Sequence, residues 1–469
     1  MTFQKKGKIT SFILELGLLA GVTLLAALLR FYKLGEWSFW GDEAFTLSGK
    51  EDGFNYSIFR RSLAVDLIHL STQYFGLSEW SARLAPALIG ILTVVVLYLL
   101  VRNLFGHRTA LIASALLALS TWHLYWSQNA RFYSLLLLFY TLGLLAFYKG
   151  FEEDRPWWVL ASLVLFGLAA RERLIALFFA PVVVGYLALV WLLPFEKPRG
   201  LRLRNLLVFF GPAALVGVAF ALPYLRDLGG WLTGFGRVNN DPLWLAAGLV
   251  YYVGIPTIAA AAFGAFYLLA NKNRAGLFFG LSAALPVLAV MALSLFQYTA
   301  NRYFFITLTS WIILAALALH ELFIYLRGRP QILAFGVLAI LLGASLGEDL
   351  MYFRYQNGNR DNWKAALQYV EQHRKPNDII VSPNPDVSNL YLDEKTFPLL
   401  DWDPASLDSP GRAWILEDMV VQEMLPDKLA WLRENAREVA DFDVHVQARN
   451  FKMRVYLYTP PHTVTKQEP

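Results

Sequence analysis

The 469-residue chain contains no cysteine. That excludes disulfides, thiolate zinc sites and iron–sulfur clusters held through sulfur. Charge is also scarce: Asp, Glu, Lys and Arg make up 16% of the sequence, against about 25% in an ordinary soluble domain. The net charge is only +5, and the basic residues are scattered over short loops. Without a basic stripe, nucleic acid is not expected as a partner. What the chain has in quantity is apolar surface, 57% of its residues, with 15 Trp, 22 Tyr and 34 Phe. This composition is that of a polytopic α-helical membrane protein with many interfacial ends.

Apolar runs of about spanning length recur at 11–30, 83–102, 109–124, 133–149, 157–171, 173–193, 205–224, 243–270, 276–296, 303–326 and 331–347, about 11 crossings in all. The runs at 109–124 and 157–171 are the shortest. Basic residues in alternate loops set the orientation. Lys5, Lys6, Lys8, Arg102, Arg108, Lys149, Lys197, Arg202, Lys272 and Arg327 mark one side as cytoplasmic, so the N-terminus is expected in the cytoplasm of a cell that carries the protein in its plasma or inner membrane. The opposite loops carry almost only Arg, the residue that grips phosphate with a planar fork.

The expected organisation is a membrane domain over 1–347, with an outer loop at 31–82, and a soluble extracytoplasmic α/β domain over 348–469. In the latter, DNWKAALQYV has helical spacing and DIIVS reads as a strand. RAWILEDM reads as a second strand, PDKLAWLRENA as a helix, and ADFDVHVQA and MRVYLYT as half-buried strands. No glycine-rich phosphate loop occurs there, so no chemistry is assigned to it.

The outer loop begins with SFWGDEAFT, in which Asp42 and Glu43 are adjacent. Two carboxylates just after a membrane crossing are candidates for acid–base work. The bland alternative is a solvated loop with Trp37, Phe39 and Trp40 in the interfacial belt. Arg131, Arg171, Glu172, Arg173 and Arg302 lie within or beside spans, where an unpaired charge costs several kcal/mol. All fall on the same expected side as the acid pair, and one polar cavity would account for them. For Glu172 the structural alternative is a pair with a neighbouring arginine. His69 could ligate a metal beside an acid, but no second histidine sits at metal spacing, and a hydrogen-bonded structural role is the commoner one. The aromatic residues of TWHLYWSQNARFYS read first as an interfacial belt.

These segments resemble a known family. LRFYKLGEWSFWGDEAFT, IHLSTQYFGLSEWSARLAPALIGILTVVVLYLLVRNLFG and ALSTWHLYWSQNARFYSLLLL are similar to stretches of the GT-C class of bacterial polyprenyl-phosphate-dependent glycosyltransferases, which includes protein O-mannosyltransferases and aminoarabinose transferases. Asp42 and Glu43 match that family's paired acids, and Arg131 and Tyr133 match its Ser-Gln-Glu-Ala-Arg-x-Tyr segment. NRYFFITLTSWIILAA resembles its Arg-Tyr helix start at Arg302 and Tyr303. Leu70 and Ser71 stand where the family has prolines after His69, and Asn129 stands where it has glutamate.

The resemblance implies a sugar donor on an undecaprenyl-type phosphate and an acceptor hydroxyl on a protein, lipid or glycan. A polyprenyl phosphodiester is already a good leaving group, so the reaction needs a base and a cationic clamp more than a general acid. Asp42 is expected as base with inversion, and Glu43 as its partner. Arg131, then Arg302, Arg173 and Arg171, are expected on the donor phosphate, supported by His69, Tyr133 and Tyr303. No cofactor is required. A divalent metal is left open, with His69 and a nearby acid as the only ligands on offer. A flippase or transporter of a lipid-linked or phosphorylated solute, using the same arginines, is the alternative reading.

Overall fold

The structure is a computed structural model that describes residues 2–49, 62–215, 217–218, 241–392, 394–403, 412–445 and 452–460, with backbone alone for 2–12 and Glu423. The segment 225–240 between the apolar runs at 205–224 and 243–270 lies outside the described residues, as do the end of the run at 205–224 and the tip of the 31–82 loop. Among the described residues seven helical segments are long and apolar enough to cross a membrane: Ile13–Phe31, Glu79–Phe105, Tyr133–Glu152, Leu174–Leu192, Arg274–Ser294, Asn301–Tyr325 and Ile332–Arg354. The helices Pro242–Val253 and Ile255–Ala270 make an eighth if counted as one span, although they are bent by 97°. Gly254 causes the break. Its φ of 86° lies in the left-handed region, where glycine pays no steric penalty, and Pro256 follows in the first turn of the next helix.

Among the described residues, the two shortest of the eleven apolar runs do not make full spans. The run at 109–124 divides into α5 (His107–Ala118) and α6 (Thr121–Ser127). Ser120 stops the first helix and caps the second, its hydroxyl accepting from the His123 N–H. Twelve residues in α5 rise about 18 Å, well short of the ~30 Å hydrocarbon core. The run at 157–171 becomes α8 (Pro156–Glu172).

The remaining elements follow in order. They are α1 (Thr2–Phe31), α2 (Gly41–Ser48), α3 (Leu63–Phe75), α4 (Glu79–Phe105), α7 (Tyr133–Glu152), α9 (Phe179–Leu192), α10 (Leu203–Leu215), α11 (Pro242–Val253), α12 (Ile255–Ala270), α13 (Arg274–Ser294), α14 (Leu308–Tyr325) and α15 (Ile332–Arg354). Beyond them lie α16 (Trp363–His373), α17 (Pro385–Ser388), α18 (Met419–Met424) and α19 (Pro426–Asn435). The strands are β1 (Ile379–Ser382), β2 (Phe397–Pro398), β3 (Ala413–Glu417), β4 (Arg437–Phe442) and β5 (Met453–Tyr458).

The chain packs as two compact units. The first comprises Met1–Tyr32, Asn55–Ser71 and Arg83–Asp349. Apolar side chains gain nothing from each other in lipid, so close backbone approach and internal polar contacts hold such helices together. α7 and α8 meet at Gly150, where a Cβ would fall 2.7 Å from Val159 Cγ2. α12 meets α14 at Gly264, where a Cβ would fall 2.6 Å from the Leu314 carbonyl oxygen. Arg274 at the start of α13 donates to the Glu152 carboxylate at the end of α7 at 2.6 Å, and the Thr141 and Thr309 hydroxyls hydrogen-bond at 3.0 Å.

The second unit comprises Lys33–Phe54, Thr72–Ala82 and Leu350–Pro469. Its five-stranded sheet runs β2-β1-β3-β5-β4, with β2, β1 and β3 parallel and β5 antiparallel to both neighbours. Strand alternation divides the core. Ile380, Trp414, Leu416 and Val455 pack with Trp363, Leu367 and Val370 of α16. Val381, Ile415 and Tyr456 pack with Val421, Leu429 and Leu432 from α18 and α19. The strand expected over 440–448 begins instead at Arg437, directly after α19, because its partners on β5 run from Leu457 back to Met453.

Candidate functional site

The acid pair sits in the first turn of α2, where carboxylates favour the positive end of the helix dipole. The helix has two distinct faces. Glu43, Ala44 and Thr46 are buried, and Ala44 belongs to the same core as Trp363 and Trp414. On the other face Asp42 is half-buried and Phe45 exposed. Gly41 is glycine for a steric reason, since a Cβ there would fall 2.8 Å from Asn384 Nδ2. The two acids therefore differ in environment. Asp42 keeps access to solvent, whereas Glu43 is fully buried, with its Oε2 3.8 Å from Nε of an equally buried Arg360.

The aromatic residues before the pair are part of the second unit's interior rather than an interfacial belt. Trp37 and Phe39 are buried. Trp37 packs against Tyr352 and Phe353, and the Phe39 N–H donates to the Tyr391 hydroxyl at 2.6 Å. That hydroxyl in turn donates to Glu79 at 2.8 Å. These contacts required the fold to be seen, because amphipathic aromatics serve a belt and a core equally well.

Within the first unit the arginines converge. Arg131 and Arg173 are 6% and 9% exposed, and their guanidinium carbons lie 4.9 and 5.1 Å from the centre of the same Phe132 ring. This is within cation–π range. The charges of Arg302, Arg173 and Arg131, and Tyr303, all act on the buried Tyr133 hydroxyl. Arg131, Arg173, Arg302, Tyr133 and Tyr303 thus share one neighbourhood. Tyr133 is further enclosed by Trp126, with ring centres 3.9 Å apart, and by Phe305, so the TWHLYWSQNARFYS aromatics too are core rather than belt.

Local geometry explains how Arg131 is presented. α6 ends at Ser127, and the side-chain nitrogen of Gln128 donates to the carbonyls of Leu29, Arg30 and Tyr32 at 3.2, 3.0 and 2.8 Å. These carbonyls lie at the C-terminal end of α1, where intrahelical donors run out. Arg30 returns the favour to α5, donating to Ala118 and Leu117 at 2.7 and 3.2 Å and meeting His123 Nδ1 at 2.8 Å. Asn301, beside Arg302, lies against Gly248, where a Cβ would come within 2.2 Å of its amide.

Arg171 and Glu172 have other work. Arg171 lies 3.8 Å from Asp66. The buried Glu172 carboxylate accepts from the Ser62 hydroxyl at 2.5 Å and from the N–H groups of Leu63 and Ala64 at 3.0 and 3.2 Å. It caps α3, the helix that carries His69, instead of pairing with an arginine. His69 is half-buried on that helix. Among the described residues no three His, Asp or Glu side chains converge in a way that could hold a metal ion, so no metal site is assigned to it.

Arg360, Gln128 and Asp66 were not singled out by sequence. The signal for Arg360 was present in the turn-forming run NGN before it: Asn357, Gly358 and Asn359 all have positive φ, at 46°, 62° and 57°, a rare conformation for non-glycine residues.

Residues 64–225 match the family model described as dolichyl-phosphate-mannose-protein mannosyltransferase. The candidate mannosyltransferase YycA of Bacillus subtilis is 27% identical over 138 residues, covering 29% of this chain and 20% of that protein. An uncharacterised Aquifex aeolicus protein is 27% identical over 220 residues, covering 44% of this chain and 43% of that protein. The chain therefore spans less than half the length of either. Among solved structures, ArnT from Cupriavidus metallidurans in the apo state superposes with a TM-score of 0.56 at 15% identity over 96% of this chain and 98% of that one. The form bound to undecaprenyl phosphate gives 0.55 at 16% identity over 94% and 98%. The oligosaccharyltransferase of Archaeoglobus fulgidus tethered to an acceptor peptide gives 0.56 at 13% identity over 90% and 71%. The chain has the fold of the GT-C membrane enzymes, and over residues 64–225 it resembles the dolichyl-phosphate-mannose-protein mannosyltransferase family.

Proposed function

We propose that this protein is a multi-pass membrane glycosyltransferase that moves a sugar from a polyprenyl-phosphate donor to an acceptor hydroxyl at the outer face of the membrane. The observation that carries the proposal is the convergence of Arg131, Arg173 and Arg302 around Phe132 and Tyr133. Three cations gathered beside a buried aromatic pair suit a phosphate, whose charge grows as the sugar departs. The likeness to a structure bound to undecaprenyl phosphate supports the lipid carrier.

Asp42, accessible on the open face of α2, takes the acceptor's hydroxyl proton. The acceptor oxygen then forms its bond to the anomeric carbon as the carbon–phosphate-oxygen bond breaks and its electron pair passes to the phosphate. Attack opposite the leaving group inverts the anomeric centre. The arginines hold the departing phosphate, so no general acid is needed. Acceptors of three classes, protein, lipid and glycan, remain within this chemistry.

One observation favours the transporter reading. The break at Gly254 between α11 and α12 is the kind of discontinuous span that transporters use. A single experiment separates the two. Radiolabelled polyprenyl-phosphate sugars are offered to the purified protein in lipid, with Asp42→Asn alongside. Label reaching an acceptor, or released as free sugar, only with Asp42 intact supports the transferase. Lipid scrambling that survives the substitution, with no transfer from any donor, supports transport.

A further inference from the structure

We infer that Arg360 is a positioning residue that sets the direction of Asp42 by holding Glu43 in the interior of the second unit. The inference rests on the transferase reading and deepens it by giving the two adjacent acids different tasks. In an α-helix consecutive side chains diverge by about 100°. Whatever fixes Glu43 therefore fixes the rotation of α2 about its axis, and with it the direction of Asp42. Glu43 is fixed by charge. Its carboxylate and the Arg360 guanidinium are both inaccessible to solvent at 3.8 Å, and a buried charge left without its partner is strongly unfavourable. Rotation of α2 that turned Glu43 outward would part this buried ion pair.

The segment that supplies Arg360 is built for that purpose. Three successive residues, Asn357, Gly358 and Asn359, adopt left-handed φ, and the turn is closed by hydrogen bonds. Asn357 Nδ2 donates to the Arg360 carbonyl at 3.0 Å, and Arg360 Nη1 donates to the Gly358 carbonyl at 3.0 Å. The turn is packed so closely that a Cβ at Gly358 would fall 2.8 Å from both Arg360 Nη1 and Trp37 Cδ1. Trp37 lies five residues before Asp42, so the same turn braces the chain on its way into α2. Backbone in a sparsely populated conformation persists where surrounding structure holds it, and such strain gathers at functional sites. Other contacts also seat the helix, among them Ala44 in the core and Gly41 against Asn384. The charge pair adds a further constraint on its rotation.

The test is a double-mutant cycle on the full chain in lipid, with Arg360→Met, Glu43→Gln and the pair together, beside Asp42→Asn. Thermal stability, donor KM and kcat are measured for each. Arg360→Met alone removes the cation beside the buried Glu43 carboxylate and is expected to lower the melting temperature. The double variant lacks both charges of the pair and is expected to regain most of it. If Arg360 positions Asp42, kcat stays at least tenfold low in the double variant while donor KM stays within about threefold of wild type. Recovery of kcat together with stability would assign the pair a purely structural role and overturn the inference, as would wild-type kcat in Arg360→Met. An active Asp42→Asn variant would instead overturn the transferase mechanism, whatever Arg360 does.

Discussion

Removing the Glu172 carboxylate tests whether a charge beside a membrane span caps a helix or serves a substrate. Helix α3 begins with three N–H groups that have no intrahelical acceptor and are satisfied by side chains. Val65 donates to Ser62 Oγ at 3.3 Å, and Leu63 and Ala64 donate to Glu172. The Ser62 hydroxyl also donates a hydrogen bond to Glu172, so the cap is a small network closed by one carboxylate that is 2% exposed. In Glu172→Ala two N–H groups lose their acceptor in an interior position. Each buried unsatisfied group costs about 1–3 kcal/mol, and some water will enter the space, so a net cost near 3 kcal/mol is expected. At about 1.4 kcal/mol per tenfold, the opening equilibrium of the first turns of α3 rises roughly 100-fold. Glu172→Gln keeps one acceptor oxygen and loses the charge, which places it near tenfold. The assay is hydrogen exchange of residues 62–75 in nanodiscs, read by mass spectrometry. Faster exchange confined to this segment, ordered Ala above Gln above wild type, is the expected result. Unchanged exchange in Glu172→Ala would refute the capping argument.

Gln128→Leu should remove one donor shared by three carbonyls at the end of α1 and loosen the turn that presents Arg131, raising donor KM severalfold with a smaller effect on kcat. Unaltered donor affinity would show that the turn holds without Gln128. Gly90→Ala would place a Cβ 2.2 Å from Ser127 Oγ, an overpacking cost of about 1–3 kcal/mol. Its melting temperature should fall and partly recover in Gly90→Ala/Ser127→Gly. A Gly90→Ala protein as stable as wild type would mean α4 and α6 can part freely there. In the second unit burial pushes Asp418 up to about 6, and burial with the neighbouring Asp418 charge holds Asp361 well above the usual carboxylate range. The folded state therefore binds protons that the unfolded state releases, and stability falls as pH rises from about 4 through 6 and beyond. Exchange of the β3 amides should be slower at pH 5 than at pH 7.5 after correction for intrinsic rates. Asp361→Asn should shrink the difference, and equal protection at both pH values in wild type would contradict this.

Much of the site was legible because its residues are conspicuous where they stand. Arg131, Arg173 and Arg302 are expensive at the edge of an apolar run, and that expense alone marked them. Tyr133 and Tyr303 entered through the resemblance, and the structure brings both to the same arginines. Arg171 and Glu172 met the same criterion as Arg173 yet face α3, because three consecutive residues at a helix end point in three directions and hydropathy does not say which. The aromatic residues were misjudged as a belt at both Trp37 and Trp126, since composition cannot separate a ring at an interface from one inside the protein. The run at 109–124 hid a break for a similar reason: Ser120 caps α6 after the end of α5, a decision made by one hydroxyl within an otherwise continuous apolar run.

The sequence by itself determined that this chain lives in a membrane, that a small α/β region follows the apolar spans, and where the acids and arginines lie along it. Those properties depend on local composition and on periodicity, which any segment carries with it. Only the tertiary structure decided that Asp42 and Glu43 have different surroundings. Residues 33–49 pack with the C-terminal region, more than 300 positions later in the chain, and Arg360 reaches Glu43 from there. A buried ion pair is fixed by the meeting of two distant segments, and neither segment alone shows which of two neighbouring carboxylates will be the one it takes.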